Sequence, residues 1–254
     1  MTTRREIVTK CGAGLAAIIA AGRAPAALVR SMVAGRFAMM RGSGGSSYES
    51  ELEYIQTSGT QYIDTGIVPR SGYGMNISFS VVDVVDFVGD NESNGIIGTA
   101  IDGFGAETFS VCAYKYTWPG GGIYNIWAML GNGESSYVDR TISLNRRYTI
   151  GLNYLNDSLM TLDGEVRASV SATEKSECNV FAVPIYIGAL KMQPSGNVTA
   201  GASIKIFSAQ ISDGSRVVAD YIPVLDMQGN PTLFDRMSRS YPVRSGNFIA
   251  GPDL

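Results

Sequence analysis

Hydrophobic and polar positions follow two different patterns along this chain, and the change falls near residue 50. Beyond it, short β-branched and aromatic runs are broken by Gly, Asn, Asp and Pro, with no helical period. The runs predict strands over 52–56, 60–67, 73–83, 95–100, 107–118, 123–130, 147–155, 158–162, 180–190, 202–211, 216–223, 232–235 and 247–250. Asn156-Asp157 suits a two-residue turn, and Asp213-Gly214 falls in the turn between the strands 202–211 and 216–223. Many strands joined by tight turns imply an antiparallel β-sandwich.

The first forty residues read differently. Ala and Leu content favours a helix through residues 5–21, with Gly22 as its stop and Pro25 in the first turn of a second helix. In that second segment, Leu28, Val29, Met32, Val33, Phe37 and Met40 fall broadly on one side. Arg23, Arg30 and Arg41 lie near its margin, and Arg36 interrupts it. The same stretch also fits an export signal. Thr3-Arg4-Arg5-Glu6-Ile7-Val8-Thr9-Lys10 resembles the twin-arginine motif S/T-R-R-x-F-L-x-K, with Ile7 and Val8 in place of Phe and Leu. A mildly apolar segment follows, and Ala24-Pro25-Ala26 offers small residues where a signal peptidase reads. That segment is too short and too glycine-rich to span a bilayer as a stable anchor. Two readings stand: a cleaved signal, or a helical hairpin that docks the protein on an assembly such as a phage tail. Either places the sandwich outside the cytoplasm or on a particle surface. Gly42-Ser43-Gly44-Gly45-Ser46-Ser47 is a flexible linker by composition. The expected organisation is a basic helical segment at 1–41, a linker at 42–50 and a β-domain at 51–254.

Charge sharpens that division. Residues 1–41 hold seven basic residues against Glu6 alone, while the remainder holds 13 basic and 22 acidic residues. An acidic main domain is a poor partner for phosphate backbones, which excludes nucleic acid as its ligand. The chain has no histidine. That removes Ser-His-Asp and Cys-His catalysis and histidine-based zinc sites. Cys11, Cys112 and Cys178 show no C-x-x-C spacing. Cys112 and Cys178 are either buried thiols or, in an exported domain, a pair.

Three separated motifs carry a family resemblance. Residues 52–66, Leu-Glu-Tyr-Ile-Gln-Thr-Ser-Gly-Thr-Gln-Tyr-Ile-Asp-Thr-Gly, resemble the opening Y-I-x-S-T/S-G-T-Q-Y-I-D-T-G of LamG-like domains from gut bacteria and their phages. Residues 203–211 and 213–224 resemble the family's R-I-Y-x-x-x-I-x-D-G-x-L-V-R-D-F-I-P. Leu233 to Met237, Tyr241 and Gly246 to Gly251 resemble its closing segment. The resemblance covers most of residues 52–251. It implies a concanavalin A-like jelly roll, a sandwich whose first and last strands lie side by side, with 52–56 or 60–66 beside 247–250. It also implies binding to glycans or partner surfaces. Asp64-Thr65-Gly66 and Asp220-Tyr221-Ile222-Pro223 are expected to serve strand ends and turns.

The candidate binding residues sit in one hairpin. In the strand 107–118, alternation puts Tyr114, Tyr116 and Trp118 on one side and Phe109, Val111 and Ala113 on the other. A four-residue loop at 119–122 pairs Trp118 with Ile123, Tyr116 with Asn125 and Tyr114 with Trp127. One face then carries four aromatics and an amide, suited to stacking on the apolar face of a sugar and bonding its hydroxyls. The competing reading makes that face part of the sandwich core. A second candidate is the acidic loop 86–94, in which Asp86, Asp90, Asn91 and Glu92 offer oxygen ligands for Ca²⁺. Concanavalin A-like β-glucanases carry E-x-D-x-(x)-E on a strand. The nearest acidic strand here, residues 81–86, has no glutamate, and Asp83 and Asp86 point to opposite faces of a regular strand. The sequence therefore points to a non-catalytic module for glycan or surface recognition. A virion or surface-assembly protein without sugar binding is the alternative, and a glycoside hydrolase the third.

Overall fold

The computed structural model describes residues 47–84, 94–101, 108–118, 121–131, 135–139, 142–153, 158–170, 181–199 and 202–254. At 114, 116–118, 121–123, 130–131, 135–139, 158–159 and 168–170 it describes the backbone only. All of these lie in one compact unit, Gly45–Leu254. The expected helices of residues 1–41, the Ca²⁺ loop with Asp86, Asp90, Asn91 and Glu92, the turn Asn156-Asp157 and Cys178 lie outside the described residues.

In chain order the strands are β1 (Ser50–Glu51), β2 (Ile55–Gln56), β3 (Tyr62–Asp64), β4 (Tyr73–Val84), β5 (Asn94–Ile101), β6 (Thr108–Trp118), β7 (Gly121–Gly131) and β8 (Ser135–Asp139). They continue as β9 (Arg147–Asn153), β10 (Ser158–Leu162), β11 (Glu165–Val170), β12 (Tyr186–Ile187), β13 (Leu190–Gln193) and β14 (Val198–Thr199). The last are β15 (Ala202–Asp213), β16 (Arg216–Leu225), β17 (Pro231–Asp235), β18 (Val243–Ser245) and β19 (Ile249–Ala250). They form two sheets. The first runs β1-β16-β15-β4-β9-β10-β11, with β17 on β16 and the pair β2-β19 on β15. The second runs β18-β3-β12-β5-β6-β7-β8. Among the described residues every pairing is antiparallel except β13 on β5, which is parallel. The expected neighbourhood of the chain's two motif-bearing ends is present, since Gln56 pairs with Ile249 and Ile55 with Ala250.

The core lies between the sheets. From the first, alternate residues Met75, Ile77, Phe79 and Val81 of β4 point inward with Ile150 and Leu152 of β9 and Ile204, Ile206 and Ile211 of β15. From the second come Ile63, Ile97, Phe109, Val111, Ala113, Ile126 and Ala128. In β15 the inward period of two breaks after Ile206, and Ala209 is the next inward residue. A bulge between Ile206 and Ser208 absorbs the extra residue, Phe207, and restores the register.

The structure differs from the predicted strands in definite places. The expected strand 180–190 is broken: only Tyr186–Ile187 and Leu190 onward are extended. Pro184 has no N–H for a ladder, and Gly188 turns the chain with φ of +87°. Strands β1, β8, β11, β14 and β18 have no counterpart in the predicted set. At the turn after β15, Asp213 pairs with Arg216, so the loop is Gly214-Ser215 with Gly214 at φ +60°.

Candidate functional site

Cross-strand register decides which face of the hairpin looks outward. The observed pairs are Cys112 with Trp127, Tyr114 with Asn125, Tyr116 with Ile123 and Trp118 with Gly121. The connection is therefore two residues, Pro119-Gly120, not four, and each expected pair is displaced by two positions. A slip of two leaves each residue on its predicted side, whereas a slip of one would have inverted them all.

The reading of the aromatic side as sandwich core is overturned. Phe109, Val111 and Ala113 are the ones in the core. Positions 112, 114, 116, 118, 125 and 127 belong to the outer side of the second sheet. Cys112, Asn125 and Trp127 are described there in full, whereas the side chains of Tyr114, Tyr116 and Trp118 lie outside the described residues.

Part of that outer side is filled by the chain itself. Leu190 and Met192 lie against Cys112, Trp127 and Met129. At Gly95 a Cβ would meet Leu190 N at 2.5 Å and Thr199 O at 2.7 Å, so the 189–199 excursion rests directly on β5 and needs glycine beneath it. Trp127 and Met129 stay half-exposed at the edge of this cover. Two polar atoms beside them have no partner: Ser110 Oγ, on a residue with no exposure, and Asn125 Oδ1, on a residue 3 % exposed. A buried oxygen without a bond costs about 1–3 kcal/mol, which makes both notable features of an outward face.

Register extends the same side across the sheet. One row runs Val243, Asp64, Tyr186, Gly98, Ser110 and Met129. Gly98 is forced by geometry: its φ is +134°, and a Cβ would fall 2.1 Å from Phe109 O. No side chain therefore separates Tyr186 from Ser110. Tyr186 stacks on Tyr62, with centroids 4.9 Å apart and planes 21° from parallel. Its hydroxyl donates to Asp64 Oδ2 at 3.0 Å. Burial and that bond to Asp64 push the Tyr186 hydroxyl up to about 12. Lys191 Nζ sits 5.5 Å from the Tyr186 centroid and donates to Gly196 O at 2.5 Å. Tyr62, Tyr186 and Ser110 went unnoticed in the sequence because each lies in a short or broken strand or reads as a small filler residue.

Motif residues at the strand ends do local bonding. Asp64 Oδ1 accepts from Gly66 N at 2.8 Å, and Thr65 Oγ1 donates to Ile185 O at 2.7 Å. Asp220 Oδ2 pairs with Arg236, and Asp235 accepts from the backbone N–H of Asp220, Met237 and Ser238.

No family model matches the chain, and no curated protein matches it. Solved structures are similar in fold. A candidate carbohydrate-binding protein from Bacteroides ovatus is 14 % identical with a TM-score of 0.47, over 79 % of this chain and 60 % of that one. Domains LG4-5 of the mouse laminin α1 chain are 12 % identical with a TM-score of 0.43, over 82 % and 48 %. An alginate lyase of polysaccharide lyase family 7 is 15 % identical with a TM-score of 0.34, over 68 % of each chain. The chain spans about three fifths of the first of these and about half of the second.

Proposed function

We propose that the protein recognises a glycan, without catalysis, through the outer side of its second sheet, and that it does so outside the cytoplasm or on a phage particle. The observation that carries the reading is the pairing of unbonded buried oxygens, Ser110 Oγ and Asn125 Oδ1, with the half-exposed Trp127 on an outward face. A flat ring beside bonding groups that lack partners matches what a sugar offers, an apolar ring face with hydroxyls around it. The stacked Tyr62–Tyr186 pair continues the same face. The absence of histidine from the chain supports a binding role, because the usual proton shuttle is missing.

A glycan array tests this. Specific signals that fall in Ser110→Ala and Trp127→Ala, in protein whose unfolding midpoint shows it folded, support the reading. Silence across the array, or signals indifferent to both changes, favours the alternative of a surface-assembly protein. Location is tested by the N-terminal residue of protein recovered from its native cell or particle. A start near Ala27 indicates export, and an intact start in a particle fraction indicates an anchoring segment.

A further inference from the structure

The opposite face of the molecule carries a second cluster. In the first sheet one cross-strand row reads Arg147, Ser80, Lys205 and Gln56. All four face outward, since Phe79, Val81, Tyr148, Ile204 and Ile206 on either side are in the core. Arg147 and Lys205 thus stand two strands apart, about 10 Å between backbones, with Ser80 between them. Each cation is held over an aromatic ring: Arg147 Cζ is 4.3 Å from the Phe207 centroid and Lys205 Nζ is 4.6 Å from that of Tyr54. The two rings meet edge to face at 5.6 Å. Phe207 is the bulged residue of β15.

Neither cation has a carboxylate within ion-pair distance among the described residues, although Arg70, Arg146, Arg167, Arg236 and Arg244 each have one. Arg147 Nε donates to Ser78 Oγ at 2.7 Å, which fixes the guanidinium without neutralising it. Glu53 is the acid that acts on it, from beyond contact. Between the cations, Ser80 Oγ is buried and has no partner. Outward cations without an ion-pair partner suit negative oxygen. Along the same side the next row is uncharged and polar, Ser208, Ser78 and Thr149, and the one after it runs Asp220, Gln210, Asn76 and Gly151, with Asp220 already paired to Arg236. In a domain with more acidic than basic residues, two outward cations without an ion-pair partner beside a polar row are a local exception.

We propose that this face binds an acidic polysaccharide, its carboxylate or sulfate groups on Arg147 and Lys205, and its hydroxyls on Asn76, Gln210, Thr149 and Ser208. Two cations at separate positions suit a chain that repeats its charge. Hydroxyl and amide rows suit a sugar chain better than an acidic peptide. The site is independent of the second sheet and stands or falls without it.

The test is titration of the full-length protein with polygalacturonate, dextran sulfate and neutral dextran at low and physiological salt. Binding to one or both polyanions and none to neutral dextran is expected; the stronger of the two identifies carboxylate or sulfate as the group recognised. Arg147→Gln and Lys205→Gln should each weaken binding about tenfold, the loss of one charge-assisted contact. Glu53→Gln should tighten it, a gain that no folding defect produces. Arg70→Gln, at an exposed cation already paired with Asp213, should leave it unchanged. The proposal is overturned if neither polyanion binds, if Glu53→Gln fails to tighten binding, or if Arg70→Gln weakens it as much as Arg147→Gln does.

Discussion

Thr57 is the residue whose replacement tests most directly how the opening motif is tied to the sandwich. It has no exposure, and its hydroxyl works in both directions. Oγ1 donates to Ala202 O at 2.9 Å and accepts from Ile204 N at 3.0 Å. Its backbone N–H donates to Ile204 O at 2.9 Å, and Ser203 Oγ donates to its carbonyl at 2.8 Å. Thr57→Val keeps the shape and removes only the hydroxyl. It leaves the Ile204 N–H buried without an acceptor, a loss of about 1–3 kcal/mol, and removes the bond to Ala202 as well, about 1 kcal/mol more. The expected destabilisation is about 2–4 kcal/mol. Thr57→Ser keeps the hydroxyl and removes one methyl, which costs about 1 kcal/mol. Urea unfolding followed by intrinsic fluorescence gives both values from the midpoint shift at constant slope. The account fails if Val is tolerated as well as Ser, because packing and not bonding would then hold the segment.

Three further outcomes are expected. Gly98→Ala, which forces a Cβ to 2.1 Å from Phe109 O at positive φ, should destabilise by at least about 3 kcal/mol in the same assay; a change under 1 kcal/mol would show that β5 does not approach β6 so closely. Tyr48, raised by burial and its bond to Glu51, and Tyr186 should both ionise near pH 12 in a spectrophotometric titration. A raised folded value means the folded state holds the proton more tightly, so the stability they contribute is whole below pH 10 and falls as pH climbs towards 12. Asp235 runs the other way. Burial alone would raise it, but bonds from Ser238 and the backbone N–H of Asp220 and Met237 outweigh burial and hold it low. Its contribution is therefore present above about pH 4 and lost on acidification, and Asp235→Asn should flatten the acid limb of a stability–pH curve.

The fold was legible because its signals are local and repeated. Long strands such as β4, β15 and β16 declare themselves by β-branched and aromatic content bounded by turn residues. What escaped notice was of two kinds. The hairpin β10–β11 turns on Asp163-Gly164, at φ +51° and +83°, with Leu162 opposite Glu165. Asp-Gly is a strong two-residue turn signal, but the strand after it, Glu165 to Val170, is too charged to read as a strand. Strand β8 is likewise polar, because an edge strand has one side of its ladder open and needs little apolar content.

The outward site was harder to read for a different reason. Alternation along β6 divided its residues correctly into two sides, but alternation is blind to which side meets the core. That choice depends on the partner sheet, on residues such as Ile204 and Phe79 far away in sequence. The side with larger aromatics looked like the core because large apolar surface usually is. Phe109, Val111 and Ala113 take the inward place, sharing one buried cluster with Phe79, Ile204 and Ile206 of the opposing sheet. The cation row of the first sheet was still less visible. Arg147, Ser80, Lys205 and Gln56 come from four separate strands, and one of the aromatic rings beneath the cations is the extra residue of a bulge. No window along the chain holds such a group together; it exists only once the registers of β9, β4, β15 and β2 are set.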